Sequence, residues 1–204
     1  VAREVALRML YAAGDADLAD LLHVSDDAIA AGLRALASGA PLVADVKMVA
    51  VALDRQRAQQ LGVPVLCAID DPRVQREAAA TGLPRAAVAI RRLVRRAPTG
   101  IYVVGNAPTA LLQLLDLVDL GVARPALVIA TPLGFVAATE AKEELVARAL
   151  PCITVRGTRG GSAVAAAAAN ALLRMATRGL AGTVDGGRRI EDAAPSASQP
   201  PVTW

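Results

Sequence analysis

The residues able to do chemistry sit in short polar segments, each following an apolar run. They are Asp45, Asp71 with Arg73, Gly105-Asn106, Thr131 with Gly134, and the stretch Arg156-Gly157-Thr158-Arg159-Gly160-Gly161-Ser162. Carboxylates, guanidiniums and glycine-bared amides in such loops suit the gripping of a polar, above all anionic, small molecule. Arg can fork a carboxylate bidentately, and the first amides of a helix have no intrahelical partner. The run Ile101 to Leu111 makes the point most clearly: a β-branched run stops at Gly105-Asn106, then a helix restarts with Pro108 and Thr109 in its first turn. A plainer reading stays open beside this one, that the glycines only permit tight strand-to-helix turns.

Several other chemistries are excluded or disfavoured. There is no Gly-x-x-x-x-Gly-Lys-Ser/Thr, and no Gly-x-Gly-x-x-Gly with an acidic residue after the next strand. Ser162 follows Gly-Gly, but no His is placed to activate it. The single His, His23, and the two Cys, Cys67 and Cys152, lack metal-ligand spacing, so no metal site is expected. His23, beside Leu21, Leu22 and Val24 between the first two helices, reads as a partly buried structural residue. Both cysteines lie in apolar runs and read as buried thiols in a reducing compartment. The net charge of +3 fits an acidic small molecule as well as a polyanion. Aromatic residues make up only 2% of the chain, which is too few for base-stacking platforms. Arg91, Arg92, Arg95 and Arg96 therefore read as a solvated helix face before a nucleic-acid patch. Arg85, at a helix start where a cation is unfavourable, is either solvent-facing or an anion ligand.

The elements that must hold these loops follow from periodicity. Ala2, Val5, Ala6, Met9, Leu10 and Ala13 form one helical stripe, with Tyr11 on the opposite side. A second helix is expected over 26–38, with Ser25 as its N-cap, and another over 48–61. Strands are expected over 41–46, 63–69, 100–104, 125–130 and 151–155. The helices between and after them are expected over 73–80, 84–96, 108–120, 140–149 (capped by Thr139) and 162–177. Continuous apolar strands alternating with helices predict a three-layer α/β/α sandwich with a mostly parallel sheet of about five strands. Residues 1–178 form one domain, and 179–204 read as a disordered tail of Gly, Ser, Pro and charge. No apolar run reaches the roughly 18 residues of a membrane span and no leader opens the sequence, so the expectation is a cytoplasmic protein without membrane partners.

Several motifs stand in order along the chain: Gly39-Ala40-Pro41 through Asp45, Asp71-Pro72-Arg73, Arg85-Ala86-Ala87, Gly105-Asn106-Ala107-Pro108-Thr109-Ala110-Leu111, and Pro132-Leu133-Gly134-Phe135-Val136 with Glu140-Ala141-Lys142. Val155-Arg156 through Ser162-Ala163, with Asn170, closes a collinear set over roughly 2–175. Taken together, these motifs and their order resemble precorrin-8X methylmutase, the isomerase of corrin-ring synthesis, with the Gly105-to-Leu111 run similar to that family's signature. The resemblance implies an α/β homodimer that moves a methyl group from C11 to C12 of a tetrapyrrole rich in carboxylates, with no external cofactor. It implies substrate contacts from Arg8 and Arg85. With the loop reading it adds Gly105, Asn106, Thr109, Gly134, Arg156, Gly160, Gly161 and Ser162 as the substrate-binding set.

In the family a His on the first matched helix protonates the ring, within Arg-Met-Ile/Leu-His-x-x-Gly. Here the segment reads Arg8-Met9-Leu10-Tyr11-Ala12-Ala13-Gly14, so Tyr11 stands at the catalytic position. An unperturbed Tyr titrates near pH 10 and is a poor acid at neutral pH, although a neighbouring Arg8 favours the phenolate. Three outcomes follow: Tyr11 is a slower donor, another group or water protonates the ring, or the protein binds corrinoid without turnover. Family members usually also carry an N-terminal arm ahead of this helix that helps build the substrate site; without it, the resemblance leads one to expect a more open pocket or missing contacts.

Overall fold

The computed structural model describes residues 2–184. Helix α1 (Ala2–Ala13) leads through a 3₁₀ turn (Ala16–Leu21) to strand β1 (Leu22–Val24) and helix α2 (Ala28–Ala37). Strand β2 (Leu42–Ala44), helices α3 (Lys47–Ala52) and α4 (Arg55–Gln60) and strand β3 (Val65–Leu66) come next. Then follow α5 (Pro72–Thr81), α6 (Arg85–Val94), β4 (Ile101–Val104) and α7 (Pro108–Asp119). The last elements are β5 (Leu127–Ala130), α8 (Ala138–Ala147), β6 (Cys152–Val155) and α9 (Ser162–Val184).

The strands form one six-stranded sheet in the order β1-β6-β5-β4-β2-β3. All neighbours are parallel except β1, which pairs antiparallel with β6, Leu22 opposite Val155 and Val24 opposite Ile153. Successive side chains alternate between faces. Leu42, Ala44, Ile101, Val103, Leu127, Ile129 and Ile153 join the core under α1 to α4 and α9. Val43, Tyr102, Val104, Val128, Ala130 and Cys152 join the core under α6, α7 and α8. Both faces are covered, which explains the unbroken apolar strands. The chain leaves β2 toward one helical layer and β4 toward the other. A topological switch therefore opens between these neighbours at their carboxyl ends, where open sheets place their ligands.

Several local expectations are corrected. The sheet has six strands rather than about five, because β1 joins it; His23 lies in that strand, half-buried and opposite Thr154, rather than between two helices. Ser25 does not cap α2: its Oγ donates to Asp27 and accepts from the Cys152 amide, stitching the loop to β6. The expected helix over 48–61 is two helices, broken at the extended Leu53, with Asp54 capping the second through the Arg57 amide at 3.0 Å. Thr139 lies inside α8, whose N-cap is Ala137 in the left-handed region at φ 59°. Cys67 is half-buried while Cys152 is buried, and both are free thiols. Arg91 and Arg92 are half-buried and pair with Glu77, tying α6 to α5. α9 runs on through Val184, past the expected start of the tail, whose remainder lies outside the described residues. Among the described residues no helix is long and apolar enough to cross a membrane.

Candidate functional site

The carboxyl ends of β2, β4, β5 and β6 bring most of the expected loops onto one edge. Asp45, directly after β2, is fully buried. Its carboxylate accepts hydrogen bonds from the amides of Gly105 at 3.1 Å, Asn106 at 2.9 Å and Ala107 at 2.8 Å. The amide nest at the start of α7, expected to face a bound anion, is thus filled by an anion of the chain itself. Burial pushes the Asp45 carboxyl up from its ordinary value, while the amides of Ala107, Asn106, Gly105 and Val46 pull it down. The Gly105 and Asn106 amides are committed, leaving the exposed Asn106 side chain and the half-buried Thr109 facing outward from this loop. Gly105 has a steric role as well. A Cβ there would stand 2.6 Å from Ser162 Cα and 2.8 Å from Val49 Cγ2, so glycine lets the start of α9 close against the turn.

Asp71 and Arg73 are likewise occupied. Asp71 caps α5 through the Arg73 amide at 2.8 Å and binds the Arg73 guanidinium, which holds its carboxyl down to about 2. The Asp71 carboxylate is engaged on both oxygens, while the Arg73 side chain stays largely exposed.

The loops after β5 and β6 are zipped together. The Gly161 amide donates to the Thr131 carbonyl at 2.6 Å, and Thr131 Oγ1 donates to the Gly161 carbonyl at 3.0 Å. The Gly134 amide donates to the Thr158 carbonyl at 3.0 Å. Gly160, at φ 142°, lies so close that a Cβ would stand 2.3 Å from the Thr131 carbonyl oxygen. Only glycine fits such a contact. Above the zipper, Leu133, Phe135 and Val136 are exposed, Phe135 to 93%. Arg156 is exposed next to the β1 edge, its amide donating to the Leu21 carbonyl at 2.8 Å.

Helix α1 reaches this edge by its carboxyl end. It packs on α9 and runs antiparallel to it: Arg178 near the end of α9 pairs with Glu4, and Arg159 just before α9 pairs with Asp15 at 2.9 Å. Tyr11 lies one turn back from Asp15 and is 88% exposed. Its hydroxyl has no protein partner among the described residues. Arg8 is farther back, in a cationic group with Arg57, Arg174 and Arg178. Arg85 is exposed at the first position of α6, and α6 returns to the start of β4, so Arg85 points the helix start toward the strand-end side. The structure therefore groups Gly105, Asn106, Thr109, Gly134, Arg156, Gly160, Gly161 and Ser162, brings Tyr11 to their rim, and sets Arg8 back from them.

Sequence reasoning missed one functional candidate, Lys142, and misjudged another. Asp45 was legible as a strand-end carboxylate able to meet a ligand, but the three amides that occupy it come from the turn after β4, distant in sequence. Lys142 is 1% exposed on the buried face of α8 with Ala138, Ala141 and Leu145. Its Nζ donates to the Arg159 carbonyl at 2.9 Å, and burial lowers its ammonium to about 8. A lysine in an apolar helical stripe was the available signal.

Comparison with known proteins follows the same residues. The family model for precorrin-8X methylmutase matches residues 1–175. The precorrin-8X methylmutase of Pseudomonas aeruginosa is 43% identical over 171 residues, covering 83% of this chain and 82% of that protein. The cobalt-precorrin-8 methylmutase of Priestia megaterium is 42% identical over 173 residues, covering 85% and 77%. The solved precorrin-8X methyl mutase of Thermus thermophilus superposes with a TM-score of 0.80 at 38% identity, covering 86% of this chain and 85% of that one. This chain belongs to the precorrin-8X methylmutase family.

Proposed function

We propose that this protein is a methyl-shifting isomerase of cobalamin synthesis, moving a methyl group from C11 to C12 of precorrin-8X or its cobalt-bearing counterpart. The observation that carries the reading is the family match over residues 1–175. The glycine loops it spans stand together on the strand-end side of the sheet. The macrocycle lies over the zipped loops after β5 and β6. Its rim carboxylates take the guanidiniums of Arg85 and Arg156, with Arg8 reaching a more distant carboxylate. Asn106, Thr109, Ser162 and the backbone at Gly134, Gly160 and Gly161 supply shorter polar contacts, and Gly105 permits their close approach.

The reaction asks little of the protein beyond placement and a proton. Protonation of the conjugated ring makes the carbon next to the methyl-bearing centre electron-poor, and the methyl migrates with its bonding pair. Release of a proton then restores the conjugated product. Tyr11 is the candidate donor, since its hydroxyl has no partner among the described residues and it lies on the end of α1 that reaches the strand-end side. A phenol is a weak acid, so turnover by this route is slower than with imidazole.

The site is completed by a second copy of the chain. Phe135 and Val136, adjacent on the loop after β5, are exposed to 93% and 83%, and Tyr11 on α1 to 88%, large side chains left to solvent in a single copy. A homodimer covers them and encloses the substrate; a cytoplasmic place of work goes with this reading.

The test is incubation of purified protein with precorrin-8X, followed by absorption spectroscopy and mass analysis. Conversion to hydrogenobyrinic acid is expected, and Tyr11→His raises the rate. No conversion over hours at stoichiometric protein sinks the isomerase reading; tight product binding in that case marks a corrinoid-binding protein. A Tyr11→His rate equal to that of the native chain removes Tyr11 from the mechanism.

A further inference from the structure

Lys142 occupies a position where an apolar residue would serve stability better. It lies on α8 in register with Ala138, Ala141 and Leu145, and only 1% of it is exposed. Among the described residues no carboxylate pairs with it. Burying an unpaired ammonium is costly, and hydrophobic replacement of buried charge is often neutral or stabilising. What Lys142 has in return is one hydrogen bond, from Nζ to the Arg159 carbonyl at 2.9 Å.

That carbonyl belongs to a loop poor in means of holding itself. Between β6 and α9 it contains Gly157, Gly160 and Gly161, each at positive φ. Glycines carry the largest backbone entropy cost of ordering. Its other anchors are the Thr158 carbonyl, which takes the Gly134 amide, and Gly161, which exchanges bonds with Thr131. Arg159 lies between these anchors, and Lys142 holds its carbonyl. Beside this contact lies a recess of about 210 Å³, lined by Lys142, Glu143, Val146, Ala147 and Arg156.

The other end of Arg159 is spoken for as well. Its guanidinium donates to Asp15 at 2.9 Å, and Asp15 also accepts from the Asp17 amide, fixing the turn that follows α1. α8 belongs to one helical layer and α1 to the other. Arg159 is thus a brace across the strand-end side, its main chain tied to α8 and its side chain to α1.

We propose that Lys142 is a positioning residue: by holding the Arg159 carbonyl it fixes the glycine loop and, through the Arg159–Asp15 pair, the end of α1 that carries Tyr11. This rests on the methylmutase reading for its effect on rate, but not for its effect on the loop. Misplacing a reacting group by about 1 Å costs up to a hundredfold in rate. Lys142→Met keeps the stem and removes the charge. It is expected to stay folded, to lose kcat roughly ten- to a hundredfold, and to raise KM as the glycine loop that contacts the substrate loosens. The Gly161 amide, bonded to the Thr131 carbonyl, and the Gly134 amide, bonded to the Thr158 carbonyl, should exchange with deuterium faster than in the native chain while the amides of β4 to β6 keep their rates. Asp15→Asn cuts the same brace at its exposed end, where the core is untouched, and should lower kcat too. The double variant should lose little beyond the worse single one. Unchanged loop exchange in a folded Lys142→Met protein overturns the proposal. Fully multiplicative losses in the double variant overturn the link to α1. If the native chain shows no turnover, the methylmutase reading fails by itself, and loop exchange still decides the role of Lys142; if Lys142→Met does not fold, Asp15→Asn decides the link to α1.

Discussion

Gly160→Ala isolates what the zipper between the β5 and β6 loops contributes. The new Cβ would stand 2.3 Å from the Thr131 carbonyl oxygen, a backbone atom that cannot swing aside, and φ of 142° is itself strained for any L side chain. Relief requires the loops to part. That lengthens or breaks the bond from the Gly161 amide to the Thr131 carbonyl and its companion from Thr131 Oγ1. Backbone strain of about 1–3 kcal/mol, with two hydrogen bonds of about 1 kcal/mol each, gives a loss of roughly 3–5 kcal/mol. For a domain of this size each kcal/mol moves Tm by about 2–4 °C, so a fall on the order of 10 °C is expected. Gly157→Ala is the internal control. It lies in the same loop at φ 70° with nothing within 4 Å of the added carbon, so only the conformational cost of about 1 kcal/mol applies. Urea unfolding of both variants beside the native chain measures the difference, and product titration reports whether the loop still binds. Equal, mild destabilisation of the two variants refutes the reasoning, because the zipper would then be yielding rather than tight.

Asp45→Ala leaves the amides of Gly105, Asn106 and Ala107 without an acceptor; a loss of about 2–4 kcal/mol, partly restored by millimolar formate, is expected in thermal unfolding. The Lys142 ammonium, near 8 in the fold and 10.5 in the unfolded chain, gives a signed pH dependence: between those values the unfolded chain binds more protons. Stability relative to Lys142→Met should therefore rise from about pH 8 to about pH 10.5, and parallel urea midpoints across that range would contradict the burial. Phe135→Glu places a charge on the most exposed large apolar side chain among the described residues, at 93%; if the proposed dimer forms there, the mass seen by light scattering should shift toward monomer while Tm of the subunit changes little.

Much of the fold was legible because its signals are local. β4, β5 and β6 are uninterrupted apolar runs ended by turn residues, and α7 announces itself through Pro108 at its start. β1 was not legible: three residues with a histidine among them become a strand only because β6 offers its edge. The break between α3 and α4 depends on Asn170 of α9, whose Oδ1 accepts from the Asp54 amide at 2.8 Å and whose Nδ2 donates to the Ala52 carbonyl at 2.8 Å. Such a partner lies far away in sequence, so helical periodicity ran through the break. The loops of the site were legible as glycine and charge. Which amides remain open was not, since Asp45 and Asp71 look like ligand groups until their partners are seen.

The alanines of α9 set a distance. Ala168, Ala169 and Ala171 are buried in the core that includes Val5 and Met9 of α1, and α1 packs on α9 rather than on the sheet. Small side chains let helix axes approach closely. The height of Tyr11 above the strand ends is therefore gauged through a thin helix, not by any residue it meets. A bulkier side chain in that seam would lift the candidate proton donor away from the ring while every group lining the pocket stayed as it was. Distant variation in α9 thus becomes a way to tune, or to lose, the chemistry without any mark on the site itself.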